Sequence, residues 1–215
     1  MSAVFTNLGV FWSGFQITLI LTFLSSALAL ALGTVLAAMR VSPLPILRAA
    51  GTAYVGTVRN VPAVVVFFFI LFGLPQVGIH LSFMTSAVTA LSVYYAAFFC
   101  EAVRSGINAV QVGQAEAARA VGLTFGASLR LIILPQAFRS AIPPLINVFI
   151  ALTKTSAIAS AFGVAELLNV MQRLANSESH AVVPVLITTG VLYLAITIPA
   201  GLVAHRIERK VAIAR

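Results

Sequence analysis

The chain has 215 residues, of which 60% are apolar and only 8% charged, and it carries a net charge of +8. A water-soluble domain spends roughly 25% of its residues on charge to cover its surface, so this chain is excluded from that class and reads as an all-α integral membrane protein. The positive charge does not point to nucleic acid, because the bases are scattered over short segments with no aromatic platform between them.

Met1 to Met39 contains no charged side chain. That run is too long for a leader's apolar core and lacks a basic segment ahead of it, so a retained first span is expected over about 14–38. Pro43 and Pro45 sit where a helix start tolerates proline, opening a second helix over 46–74. At 1.5 Å per residue it would rise about 43 Å, more than the hydrocarbon core. Its first turns are therefore expected to project from the bilayer or lie in the interface. Pro62 removes a backbone donor inside it and predicts a kink after Val58. The Gly and Pro of residues 73–80 end this helix, and a third follows over 85–104. From Ser140 to Ala165 the only charge is Lys154, and from Ser179 to His205 there is none. Spans over 141–166 and 182–206 complete a five-helix map.

The basic residues orient that map. Arg40, Arg48, Arg104, Arg119, Arg130, Arg139, Arg206, Arg209, Lys210 and Arg215 fall on one side, against Arg173 alone on the other, with Arg59 and Lys154 inside spans. The positive-inside rule then places the N-terminus outside and the C-terminus in the cytoplasm.

The connection over 105–140 is the longest and is expected to be structured. Gln114 to Val121 is a helix-forming run, Gly122 stands where a left-handed cap would follow it, and Thr124 can cap a second short helix over 125–134 that Pro135 closes. Cys100 lies in a span with no partner for a disulfide or metal site and reads as a small packing residue. His80, His180 and His205 are too scattered to hold a metal. The chain has no Asp, and neither Lys154 nor Lys210 follows a glycine, so no GxxxxGK[ST] phosphate loop exists. No internal repeat suggests a secondary carrier, and no acid or histidine cluster suggests a membrane enzyme.

Glu116-Ala117-Ala118, then Gly122, Ile132 and Leu134-Pro135, resembles at every fixed position the EAA signature of ABC importer permeases. Glu101-x-x-Arg104-x-Gly106-Ile107, Gly113-Gln114, Arg59-Asn60-x-Pro62 and Lys154-x-Ser156 are similar to the polar amino-acid uptake branch, which serves histidine, glutamine, glutamate and arginine. The runs TVRN, RSGIN, GQAEAAR and IALTK are similar to glutamate permease subunits of high-GC Gram-positive bacteria. The resemblance implies a type I importer fold as one transmembrane domain over 11–206, in the plasma membrane. It implies a pair of ATPase subunits, an extracytoplasmic solute-binding protein and a second permease, identical or homologous, and neither cofactor nor metal in this chain. The ATP would be hydrolysed by another polypeptide. Gly113, Gln114, Glu116, Ala117, Ala118, Arg119, Gly122, Leu134 and Pro135 would then couple the 105–140 loop to the ATPase.

Each of these residues also has a plainer role. Glu116 suits the start of any exposed helix, Arg119 can pair with it, and Glu101 and Arg104 can neutralise each other. Lys154, with Thr155 and Ser156, is expected either to line the substrate path or to pair with a partner subunit or Glu166. Arg59 and Asn60 form a similar polar patch before the Pro62 kink. Glu166 is expected at the outer end of the fourth span, in the headgroup region or against the binding protein.

Overall fold

The computed structural model describes residues 2–213; Arg215, counted above with the orienting bases, lies outside them. The described residues are helical, with no β-strand among them. After a one-turn helix, Ser2–Thr6, the chain enters α1 (Leu8–Val41). Apart from Phe11 and Leu21, the buried face of α1 is a row of small residues: Gly14, Thr18, Thr22, Ser25, Ser26, Ala29, Gly33 and Ala37. They recur at helical spacing, so they share one side. Between apolar helices in lipid there is no hydrophobic drive to associate, and small side chains permit the close contact that replaces it. At Gly33 the approach is tight enough that an added Cβ would stand 2.8 Å from the Ala96 carbonyl oxygen. That contact joins α1 to α4 (Phe83–Asn108), whose N-terminus is capped by Ser82 accepting from the Thr85 amide at 3.2 Å.

Between them, the expected single helix over 46–74 is two. α2 (Pro45–Arg59) and α3 (Ala63–Gln76) meet at 105°, with Asn60, Val61 and Pro62 in the corner. The expected kink is at the expected proline, but it turns the chain through more than a right angle. Pro62 offers no amide hydrogen and restricts Val61 away from helical dihedrals, and Pro62 itself is extended, with ψ at 138°. α1, α4 and two later helices, α6 (Phe125–Phe162) and α8 (Val182–Ile213), are each long and apolar enough to cross a membrane, and the α2–α3 pair makes a fifth span only when taken together.

α5 (Val112–Ala120) and α6 (Phe125–Phe162) follow. The second short helix is not closed by Pro135, and the fourth span does not begin at 141. Instead α6 runs through Pro135, Pro143 and Pro144 without a break. Residues Leu129–Ile133 are π-helical. The wider turn lets Pro135 enter where its missing donor and its ring are accommodated. The far end of α6 tightens into a 3-10 turn over Ser156–Phe162 and stops at Gly163, whose φ is +84°.

The span thus ends at Phe162, four residues before the expected limit, and Glu166 caps a further helix, α7 (Leu167–Ser177), absent from the five-helix map. α7 buries Leu167, Val170 and Leu174 against α1, an apolar stripe at i, i+3 and i+7. α8 (Val182–Ile213) closes the bundle. The main packed cluster lies between α1, α3, α4 and α6, where Phe67 stacks on Phe162 with ring centroids 5.3 Å apart and Leu21, Leu91 and Leu152 are fully buried.

Candidate functional site

Four features concentrate the polar chemistry of the described residues. The first is α5 with its exit. Leu123 donates its amide to the Ala118 carbonyl at 3.1 Å and Gly122 donates to Arg119 at 3.0 Å. This double closure, with Gly122 at φ +86°, satisfies carbonyls that a helix end otherwise leaves open. Thr124 then accepts from the Ala127 amide at 3.3 Å to start α6. The expected caps at Gly122 and Thr124 are both present. Ala118 is buried, whereas Gly113, Gln114, Glu116, Ala117 and Arg119 are exposed, as are Leu134 and Pro135 on α6. The Gln136 side chain donates to that of Gln114 at 3.4 Å, tying α5 to α6. Arg119 donates to the Ala115 carbonyl and forms no ion pair with Glu116. Val112, Val121 and Phe125 flank this surface, each more than 70% exposed.

The second feature is a stripe on α6. Asn147, Ala151 and Lys154 are all exposed, and their spacing puts them on one face. Lys154 has no ion pair among the described residues; Glu166, the candidate partner within the chain, is occupied elsewhere. Thr155 is half-buried and shares a 2.6 Å hydrogen bond with the Tyr95 hydroxyl, and Ser156 is fully buried, donating to the Thr153 carbonyl. Only Lys154 of these three presents its side chain openly. Asn147 was not among the expected residues, although its spacing of seven from Lys154 within an apolar run is legible.

The third feature is ionic. Glu101 on α4 receives three arginines: Arg40 from the end of α1, Arg104 at 3.4 Å from its own helix, and Arg59 at 3.7 Å from the α2–α3 corner. The Arg59 guanidinium also lies 5.5 Å from the Phe98 ring centroid, a cation–π distance. The expected Glu101–Arg104 pair is thus one edge of a larger cluster. Asn60 turns back to donate to the Gly56 carbonyl at 2.6 Å. Thr155 is level with Tyr95, and Glu101 lies about 9 Å further along α4 at 1.5 Å per residue, so Arg59 and Lys154 occupy different depths.

Glu166, expected at the surface, is fully buried. Its carboxylate accepts from the Asn169 amide at 2.9 Å, the Tyr193 hydroxyl at 2.7 Å and the Thr18 hydroxyl at 3.4 Å. A buried carboxylate persists only when its lone pairs are filled in this way. No group of three or more metal-ligating side chains occurs among the described residues.

A family profile described as the binding-protein-dependent transport system inner membrane component matches residues 29–213. A glutamate transport system permease protein of Corynebacterium glutamicum is 41% identical, over 99% of both chains. A probable glutamine ABC transporter permease protein of Bacillus subtilis is 37% identical, covering 98% of this chain and 97% of its own. Among solved structures, a chain of an amino acid ABC transporter with histidines superposes with a TM-score of 0.88 at 31% identity, covering 96% of each chain.

Proposed function

Because the chain belongs to the family of binding-protein-dependent transport system inner membrane components, we propose that it is the permease subunit of an amino-acid ABC importer and that its substrate is glutamate. The observation that carries the coupling role is the exposed surface of α5. Glu116 and the small residues Gly113 and Ala117 stand on a short helix whose end is locked at Gly122. Small side chains let a partner's backbone come close, and the lock gives the helix one orientation, as a rigid coupling element requires. Two ATPase subunits, a second permease and a solute-binding protein complete the transporter; ATP is hydrolysed by the separate ATPase.

In this reading α5 faces the cytoplasm and the N-terminus is outside, as the excess of bases on the α5 side requires. ATP-driven closure of the ATPase pair moves α5 and reorients the two permeases as rigid bodies. Lys154 lines the route, with Asn147 on the same face. Its ammonium, without an ion pair among the described residues, replaces part of the hydration that an acidic amino acid gives up. The names of the relatives support glutamate or glutamine; the free cation favours the acid.

The test is uptake into proteoliposomes containing the permeases, ATPase and binding protein. ATP-dependent uptake of labelled glutamate, little diminished by excess arginine, is expected. Preferential uptake of arginine would overturn the substrate, and uptake by this chain alone would overturn the class.

A further inference from the structure

The cluster around Glu101 is under-neutralised. Three guanidinium groups face one carboxylate, which leaves an excess of two positive charges. The chain has no other acid to offer: it lacks Asp, and of its remaining glutamates Glu116 is exposed on α5, Glu166 is held by Thr18 and Tyr193, Glu178 faces His180 and Glu208 faces His205. The arginines are also short of acceptors. Arg104 buries its Nε without a hydrogen-bond partner. Arg59 sits at a distance from Glu101 that is an ion pair but not a hydrogen bond. Part-buried like charges repel more strongly than exposed ones, and an orphaned buried donor costs the full desolvation of the group. The arrangement is therefore complete only with an added anion that has several acceptor oxygens.

Its position selects the anion. Arg40 is one residue from the end of α1, and Glu101 and Arg104 lie in the last two turns of α4, the depth at which a bilayer changes from acyl chain to headgroup. Arg40 and Arg104 have side-chain exposures of 14% and 26%, and Arg59, at the α2–α3 corner, opens to the surface at 46%. Val41, Leu44 and Ile46 next to Arg40 are exposed apolar residues on which acyl chains can lie. We propose that Arg40, Arg59 and Arg104 hold the phosphodiester of an anionic phospholipid headgroup, which fastens the α2–α3 corner to α1 and α4. A planar guanidinium fork matches phosphate oxygens two at a time, and basic pockets between spans are suited to such headgroups.

The test uses the assembled transporter, stripped of lipid in detergent and supplied with phosphatidylglycerol or phosphatidylcholine, with retained lipid read by native mass spectrometry. Phosphatidylglycerol should be retained and phosphatidylcholine lost. Arg104→Gln and Arg59→Gln should each weaken retention about tenfold, the scale of one charge-assisted hydrogen bond, while Arg206→Gln on exposed α8 leaves it unchanged. Arg59 is half-exposed, so its variant reports even if Arg104→Gln disturbs assembly. Equal retention of the two lipids, or undiminished retention in Arg59→Gln, would overturn the proposal. Displacement by millimolar inorganic phosphate would mark a site for free anions, and displacement by glutamate a substrate site; either result would also overturn it.

Discussion

Tyr193 on α8 donates its phenolic hydrogen to Glu166 at 2.7 Å, across a junction that Thr18 of α1 closes from the other side, accepting from the Leu167 amide at 3.0 Å. One buried carboxylate thereby joins α1, the start of α7 and α8. Gly14, one turn before Thr18, makes room for it: a Cβ there would meet the Val170 side chain at 2.7 Å. Tyr193→Phe should leave Glu166 one donor short and cost about 1–3 kcal/mol. Glu166→Gln keeps some acceptors but presents an amide hydrogen to the donating Asn169 amide or Tyr193 hydroxyl, and should cost at least as much. Thermal unfolding of the purified complex measures both; an unchanged transition in both variants would show that the junction is not holding the helices.

Gly122→Val should abolish uptake while the protein still inserts. No side chain lies within 4 Å of an added Cβ at Gly122, so the effect is conformational: a β-branched residue at φ +86° is strained by about 1–2 kcal/mol, enough to disrupt the end of α5. Gly122→Asn, which tolerates that region better, should retain more uptake. Normal uptake in Gly122→Val, with normal ATPase copurification, would separate α5 from coupling.

Two glycines should behave oppositely. An added Cβ at Gly106 would collide with Ala141 and stand 2.6 Å from the Ala137 carbonyl oxygen, forcing α4 and α6 apart. Gly106→Ala should lower stability by about 1–3 kcal/mol. Gly113→Ala meets nothing and should slightly raise helix stability, by about 0.5–1 kcal/mol, yet reduce ATP-dependent uptake by crowding the docking surface. Melting curves and uptake on the same preparations distinguish the two; loss of melting temperature in Gly113→Ala would contradict the assignment.

Lys154→Ala should reduce glutamate uptake without preventing assembly, Lys154→Glu should reduce it further, and Lys154→Arg should retain part. Asn147→Ala, one face with Lys154, should raise KM more than it lowers the maximal rate. Failure of assembly in Lys154→Ala would instead point to an ion pair with a partner subunit.

The orientation is checked by labelling in a Cys100→Ala background. Val121→Cys, exposed just past α5, should react with an impermeant thiol reagent only from the cytoplasmic side. His80→Cys, in the exposed connection before α4, should react from outside. Labelling of Val121→Cys in intact cells would invert the topology.

Local signals explain what was legible in the sequence. Pro62, Gly122 and Thr124 act through their own backbone or a neighbour three residues away, so the corner and both caps are where the sequence puts them. The type and count of spans follow from long uncharged runs for the same reason. The burial of Glu166 is not legible because its partners, Thr18 and Tyr193, are distant in sequence, and a lone acid after an apolar run looks like a headgroup residue. α7 left a signal in Leu167, Val170 and Leu174, but its 11 residues are too few for a span. Pro135 misled because a proline reads as a stop unless a π turn precedes it, and that turn is a tertiary outcome. Arg59 joined Glu101 only through the 105° corner, whose direction one kink signal does not define.

The unbroken course of α6 from Phe125 to Phe162 has a mechanical consequence. Its 38 residues make a rod of roughly 55 Å at 1.5 Å per residue, with the α5 turn at one end and the Gly163 break at the other. Its prolines and its π-helical turn lie inside one continuous helix rather than at a break in it. If α6 moves as one body in the proposed coupling, a displacement delivered at Phe125 reaches Phe162. Pivoting about its middle by some 5° would swing each tip by only about 2 Å, in opposite directions. Under the proposed coupling, a small stroke at the α5 end would then appear as an opposed stroke at the Gly163 end, as in a seesaw.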